Sequence, residues 1–152
     1  MATTKELAMS APPIVKPAGD DYFEHDADIG VVGRGATLEE SFEAAARATF
    51  AVMSDLDAVR PVDAVNLEFE EADIELALVR WLNLLLALSH ERGLMFSRFW
   101  IERDGVRWRG GASGERWRRD LERGVEVKGA TLTMLEVKES ATGWEARCVV
   151  DV

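Results

Sequence analysis

Cysteine is nearly missing from this chain: among 152 residues only Cys148 is one. No intrachain disulfide can form, so the fold needs no oxidising compartment. Histidine is almost as scarce, with His25 and His90 alone. A four-ligand zinc site of Cys and His therefore has too few members. A thiol nucleophile is poorly served for the same reason, and Cys148 falls on the apolar side of its segment. Long hydrophobic runs are absent too. The longest, Ile74 to Leu88, is broken by Glu75, Arg80 and Asn83 and falls short of the ~20 residues a bilayer demands. Met1 to Asp20 lack the continuous apolar stretch of a secretory signal, and Pro12, Pro13 and Pro17 lie there among small residues. Residues 1–20 read as a flexible tail, and 21–152 as a single domain. Neither a G-x-x-x-x-G-K-[ST] phosphate loop nor a G-x-S-x-G elbow occurs. These absences together predict a cytoplasmic protein with no membrane segment and no assigned catalytic residue.

What is present is an ordinary globular balance, 47% hydrophobic and 30% charged residues, with a net charge of −10. The charge is uneven. Residues 20–75 hold sixteen acidic side chains against three arginines, whereas residues 98–123 hold eight arginines against five acids. An acidic chain makes a poor general nucleic-acid binder, because phosphate contacts dominate that affinity. It suits a cation or a basic partner better. The competing reading is that the acidity only keeps the protein soluble.

The periodicities predict an α+β fold. Residues 21–25 and 29–35 read as short strands. Thr37-Leu38-Glu39-Glu40 fits a capping box, with Thr37 as N-cap and Glu40 at N3. Leu38, Phe42, Ala45, Ala46, Thr49 and Met53 follow at helical spacing, so a helix is expected over 37–53. Val65 to Glu70 alternates strictly, as a half-buried strand does. Asp73 is a plausible N-cap for a second helix over 73–92, apolar almost all round and stopped by Gly93. Strands are expected at 94–101 and 106–112 about an Asp104-Gly105 turn, followed by a polar, Arg-rich connection over 113–123. A long strand at 125–137, a turn at 138–143 and a last strand at 144–152 complete the chain. The irregular order excludes repeated βαβ units. It predicts two layers, with two helices packed on a mostly antiparallel sheet.

Four polar features could carry chemistry. In Glu24-His25-Asp26-Ala27-Asp28, Asp26 and Asp28 would share a face of an extended segment and offer hard oxygen ligands to Ca²⁺ or Mg²⁺. A solvated acidic loop with a structural histidine is the plainer reading. Asp151 and the Val152 α-carboxylate end an apolar strand. They are either a frayed terminus or oxygens held in place by the sheet. Lys128 sits among apolar residues, as a surface lysine or as a partner for carboxylate or phosphate. Arg107-Trp108-Arg109 and Arg116-Trp117-Arg118-Arg119 could stack and bind single-stranded RNA. Buried tryptophans between solvated arginines explain the same pattern and are the preferred reading.

Phe23-Glu24-His25-Asp26-Ala27-Asp28-Ile29-Gly30 resembles the F-E-H-T-A-D-I-G signature of the archease family. Thr37-Leu38-Glu39-Glu40-Ser41-Phe42 is similar to that family's T-L-E-E-A-F, and Trp81-Leu82-Asn83-Leu84-Leu85-Leu86 to its W-L-N-E-L-L. Glu126-Val127-Lys128-Gly129-Ala130-Thr131 resembles E-V-K-A-V-T, Met134-Leu135-Glu136-Val137 resembles M-L-E-V, and Asp151-Val152 resembles a terminal D-I. The matches run in order through residues 22–152. Asp26, Gly129 and Thr133 depart from the pattern, which often has Thr, Ala and His there.

The resemblance implies an accessory protein without an activity of its own. Archeases assist the RNA-splicing ligase of tRNA splicing and RNA repair by promoting its guanylylation and multiple turnover. It also implies a divalent cation, with Ca²⁺ foremost and Mg²⁺ or Mn²⁺ as substitutes, held by Asp28, Asp151 and Val152. Asp26, Lys128 and His25 would then lie behind these ligands or on the surface that docks the ligase. The expected protein is a monomer with no specific nucleic-acid binding of its own. The alternatives are a chaperone or modulator of another RNA-modifying enzyme, such as a tRNA methyltransferase, and a metal-dependent hydrolase.

Overall fold

The structure, a computed structural model, describes residues 22–25 and 28–152, with the backbone alone for 23–25. The expected tail over 1–20 lies outside the described residues. Eight strands and two helices follow in the order β1 (Tyr22–His25), β2 (Asp28–Gly35), α1 (Leu38–Ala51), β3 (Asp63–Glu70), α2 (Ile74–Arg92), β4 (Leu94–Asp104), β5 (Arg107–Arg116), β6 (Gly129–Ala130), β7 (Glu136–Ser140) and β8 (Gly143–Asp151). This is the α+β class, and every described strand pair is antiparallel. The strands divide into two sheets where one was expected. The first runs β1-β2-β8-β6, with β7 also paired to β8, and the second runs β3-β5-β4. Both helices touch strands of both sheets.

Local chemistry fixes the helices. Thr37 Oγ1 accepts from the Glu40 N–H at 3.1 Å, and Glu40 Oε1 reaches back to the Ala36 N–H at 2.9 Å. Asp73 Oδ1 accepts from the N–H groups of Glu75 and Leu76, and Gly93 closes α2 in the left-handed region at φ 66°. The apolar faces then meet. Ala77, Leu78, Trp81, Leu82, Leu85 and Leu86 of α2 are buried, each large side chain contributing about 1.5–3 kcal/mol. Trp81 Nε1 donates to the Phe42 carbonyl at 2.9 Å, tying α2 to α1. Gly33 lets α1 lie directly on β2. A Cβ there would stand 2.2 Å from the Ser41 carbonyl oxygen and 2.3 Å from the Ala45 nitrogen. On the other side of α1, Phe42 stacks on Trp108 at 5.2 Å, and Phe69 stacks on Trp108 in turn at 5.8 Å. Cys148 of β8 is fully buried in this core, and burial pushes its thiol up to about 12.

Three segments differ from the sequence expectation. The long strand over 125–137 does not form. The N–H groups of Gly124 and Val125 bond to Met53 and Val52 at the end of α1, only Gly129 and Ala130 pair as β6, and a turn intervenes before β7. The expected turn over 138–143 shortens, because β7 continues to Ser140. The expected Arg-rich connection over 113–123 begins only at residue 117, since β5 extends through Arg116.

The last difference has an electrostatic cause. Glu115 is buried, and its carboxylate accepts from the Arg60 main chain at 2.7 Å, from the Arg60 side chain at 2.8 and 3.1 Å, and from Arg118 Nε at 3.1 Å. Arg118 also donates to the Ala58 carbonyl. This clasp joins the loop after α1 to the end of β5. The hydrogen bonds from Arg60, then those from Arg118, hold the carboxyl well below its usual 4.5, at about 2. A lowered folded-state value means the clasp stabilises fully above about pH 4.5 and loses that contribution as pH falls toward 2. Glu115→Gln is expected to unfold at lower temperature than wild type at pH 7, with the gap closing as pH drops through that window. Thermal melts of both proteins from pH 7 to pH 2 check it.

Candidate metal centre

Asp28 opens β2 and Asp151 closes β8. The two strands pair from Ile29↔Val150 to Gly35↔Trp144. One step further in the same register sets Asp28 opposite Asp151. On the outer side of β2, His25 of β1 pairs with Asp28, and on the other side of β8, Gly129 of β6 pairs with Asp151. Residues 25, 28, 151 and 129 thus form one row across four strands. Opposed residues of an antiparallel pair project to the same face, with Cα atoms about 4.5–5.5 Å apart.

That row brings two carboxylates side by side, an arrangement that is unfavourable without a compensating charge. Asp28 is half-buried and Asp151 exposed. Neither forms an ion pair with a described residue. Val152 is partly buried and packs its side chain on the core, so the chain beyond Asp151 is held in place. Lys128 is exposed, and its N–H donates to the Asp151 carbonyl at 2.7 Å, which binds the lysine's segment to the same row. Asp26 lies outside the described residues, as does the side chain of His25.

The residues fit a hard cation. The donors the row offers are carboxylate and main-chain oxygens, which suit Ca²⁺ or Mg²⁺. Among the described residues no three side chains of His, Cys, Asp or Glu converge. A cation there would need water or main-chain oxygen to complete its shell. A separate groove of about 500 Å³ opens on the second sheet, lined by Glu68, Glu70, Glu102, Arg103, Arg107 and Trp108 among others. Two ion pairs lie along it, Arg107 with Glu70 and Arg109 with Glu102.

Of the two Arg/Trp motifs, the first buries its tryptophan and the second leaves Trp117 partly buried. Trp108 is buried with its indole N–H on the Glu71 carbonyl at 2.9 Å, and Arg123 covers Trp117 at 3.9 Å from the ring centre. Cys148 is buried, and that burial raises its pKa and disfavours the thiolate form a nucleophile needs.

The positioning residues were not singled out by the sequence argument. Asn83 Oδ1 accepts from the Ala130 N–H at 2.8 Å and its Nδ2 donates to the Ala130 carbonyl at 3.2 Å. Glu75 Oε2 accepts from the Val137 N–H at 3.2 Å. Both acceptors belong to α2, and each holds the main chain of a short strand beside β8. The available signal was their polarity within an otherwise apolar helix.

This fold has known relatives. The model of the Archease protein family matches residues 21–152. The chain belongs to the archease family. Relatives of this archease include the protein archease of Thermococcus gammatolerans, 39% identical over 140 residues, covering 87% of this chain and 97% of that one. The protein archease of Sulfolobus acidocaldarius is 33% identical over 135 residues, with the same coverage. The solution structure of Methanobacterium thermoautotrophicum protein 1598 superposes with a TM-score of 0.79 at 33% identity, over 87% of this chain and 97% of that one. An archease from Thermotoga maritima, described as a possible chaperone, shares the fold at a TM-score of 0.55 and 20% identity, over 91% of this chain and 98% of that one.

Asn83→Ala removes both bonds to Ala130. It is expected to cost about 1–3 kcal/mol and to expose the Ala130 amide to solvent. Urea unfolding and hydrogen exchange at that amide check the two effects together.

Proposed function

We propose that this archease-family protein is an accessory factor of an RNA-splicing ligase. It promotes guanylylation and multiple turnover of that ligase in tRNA splicing and RNA repair. It works as a cytoplasmic monomer that holds a divalent cation, Ca²⁺ foremost and Mg²⁺ or Mn²⁺ as substitutes, on Asp28, Asp151 and Val152. The observation that carries this reading is the β2–β8 register, in which Ile29 faces Val150, so that the next step sets Asp28 opposite Asp151 at the strand ends.

When bound, the cation supplies a concentrated positive charge that neutralises the two carboxylates and attracts an anionic group of the partner. The chain's own residues position it. Asp28 and Asp151 provide the hard oxygens, and Val152 fixes the end of β8 against the core. Lys128 offers an exposed ammonium from the adjoining segment, suited to a carboxylate or phosphate across the interface. His25 belongs to this row and Asp26 follows it in sequence, and both take the supporting part. The acidity of residues 20–75 favours a basic rim on the ligase.

Asp151→Ala is expected to keep its far-ultraviolet circular dichroism yet bind Ca²⁺ at least about tenfold more weakly, a difference of about 1.4 kcal/mol. It should also fail to stimulate ligase guanylylation. Calorimetric titration of Ca²⁺ into wild type and Asp151→Ala makes the test, followed by guanylylation of the purified ligase with each. Identical calcium binding by both proteins overturns the site. Unchanged guanylylation in the presence of wild type overturns the accessory role.

A further inference from the structure

Among the described residues, Met134 is the one non-glycine residue with a positive φ, at 55°. It stands third in a turn from Leu132 to Leu135, closed by the Leu135 N–H on the Leu132 carbonyl at 3.3 Å. That place favours glycine, or asparagine, whose short polar side chain bonds locally. Methionine has neither advantage, so the conformation costs free energy. Burial of the side chain does not offset the cost, because Met134 is 53% exposed. Leu132, two residues earlier, is 63% exposed.

The turn is nevertheless tightly held. The Thr131 N–H and Oγ1 both donate to the Val149 carbonyl, at 3.0 and 2.8 Å. The Val149 N–H donates to the Thr133 carbonyl at 3.1 Å, and the Thr133 N–H donates to Thr131 Oγ1 at 3.2 Å. Val149 lies on β8 two residues before Asp151. Single exposed apolar residues need no explanation. Two long ones, held out by a hydrogen-bonded turn in an unfavourable backbone conformation, beside the row of carboxylates, do.

We propose that Leu132 and Met134 form an apolar prong that inserts into a protein partner, whose surface offers an apolar socket bordered by cationic side chains. The socket follows from the two exposed side chains. The cationic border follows from charge complementarity, since residues 131–135 carry no charge while residues 20–75, whose strand β2 pairs with β8, hold sixteen acidic side chains against three arginines. Anchoring on β8 keeps the prong at a fixed offset from the carboxylates, so both engage in one docking event without an ordering cost at the loop. The inference rests on the accessory role proposed above and names the contact through which it is exerted.

The test uses the full chain and the purified RNA-splicing ligase of the same organism as the probe. Affinity is measured by calorimetry for wild type, Met134→Gly, Met134→Leu and Leu132→Ser. Met134→Gly removes the prong and relieves the backbone. It is expected to melt no lower than wild type yet bind the ligase at least about tenfold more weakly. Leu132→Ser should weaken binding in the same direction, and Met134→Leu should bind as wild type does. Wild-type affinity in both Met134→Gly and Leu132→Ser overturns the prong and leaves the accessory role standing. Failure of wild type to bind the ligase overturns the accessory role, and the prong with it. A wild-type dimer in sedimentation that dissociates in Met134→Gly also overturns the proposal, since the socket would then belong to a second copy. Binding of tRNA that weakens with the same two variants overturns it in favour of a nucleic-acid surface.

Discussion

Seven residue pairs join β2 to β8, from Ile29–Val150 to Gly35–Trp144. The first sheet depends on this pairing. β1 has no other partner than β2 in the described structure, and β6 and β7 have no other partner than β8. The same pairing turns Ile29, Val31, Cys148 and Val150 toward the core, where Gly33 admits α1. It also joins a carboxylate near the start of the chain to one near its end. A register slip of one residue would turn every side chain of β2 to the opposite face. Core burial thus excludes the one-residue slips of the register that sets Asp28 opposite Asp151, so packing and the geometry of the candidate site share a constraint.

The helix beneath that sheet has a second task. Glu75, Arg80 and Asn83 interrupt the apolar surface of α2, and each is used. Asn83 and Glu75 hold the main chain at Ala130 and Val137, while Arg80 lies over the Phe69 ring at 5.6 Å. β6 has two residues and β7 has five, too short to hold their places by ladder bonds alone. Side chains from a rigid helix supply what the short ladders lack.

These two levels explain what could be read from the sequence. Thr37, Asp73 and Gly93 mark the helix ends through contacts within a few residues, so both helices were legible. The alternation in Val65–Glu70 likewise reports one strand's own burial. In the segment over 125–137 the β-prone composition is overridden by distant partners: Val52, Asn83 and Val149 take its main-chain groups. Glu115 was placed in a connection for the same reason. Its burial depends on Arg60, 55 residues away. Periodicity alone left Asp28 and Asp151 as separate acidic features. Only the family resemblance joined them, because a cross-strand neighbour at that separation leaves no local signal.

The lone thiol now acquires a use. Cys148 faces Val31 across the central pairing and is buried with its ionisation pushed up to about 12. In the folded protein both burial and the raised pKa shield it from an alkylating reagent. No second cysteine in the chain competes with it. The rate at which a thiol reagent consumes it therefore measures how often β8 leaves the sheet. The strand that ends in Asp151 carries its own built-in clock for its opening.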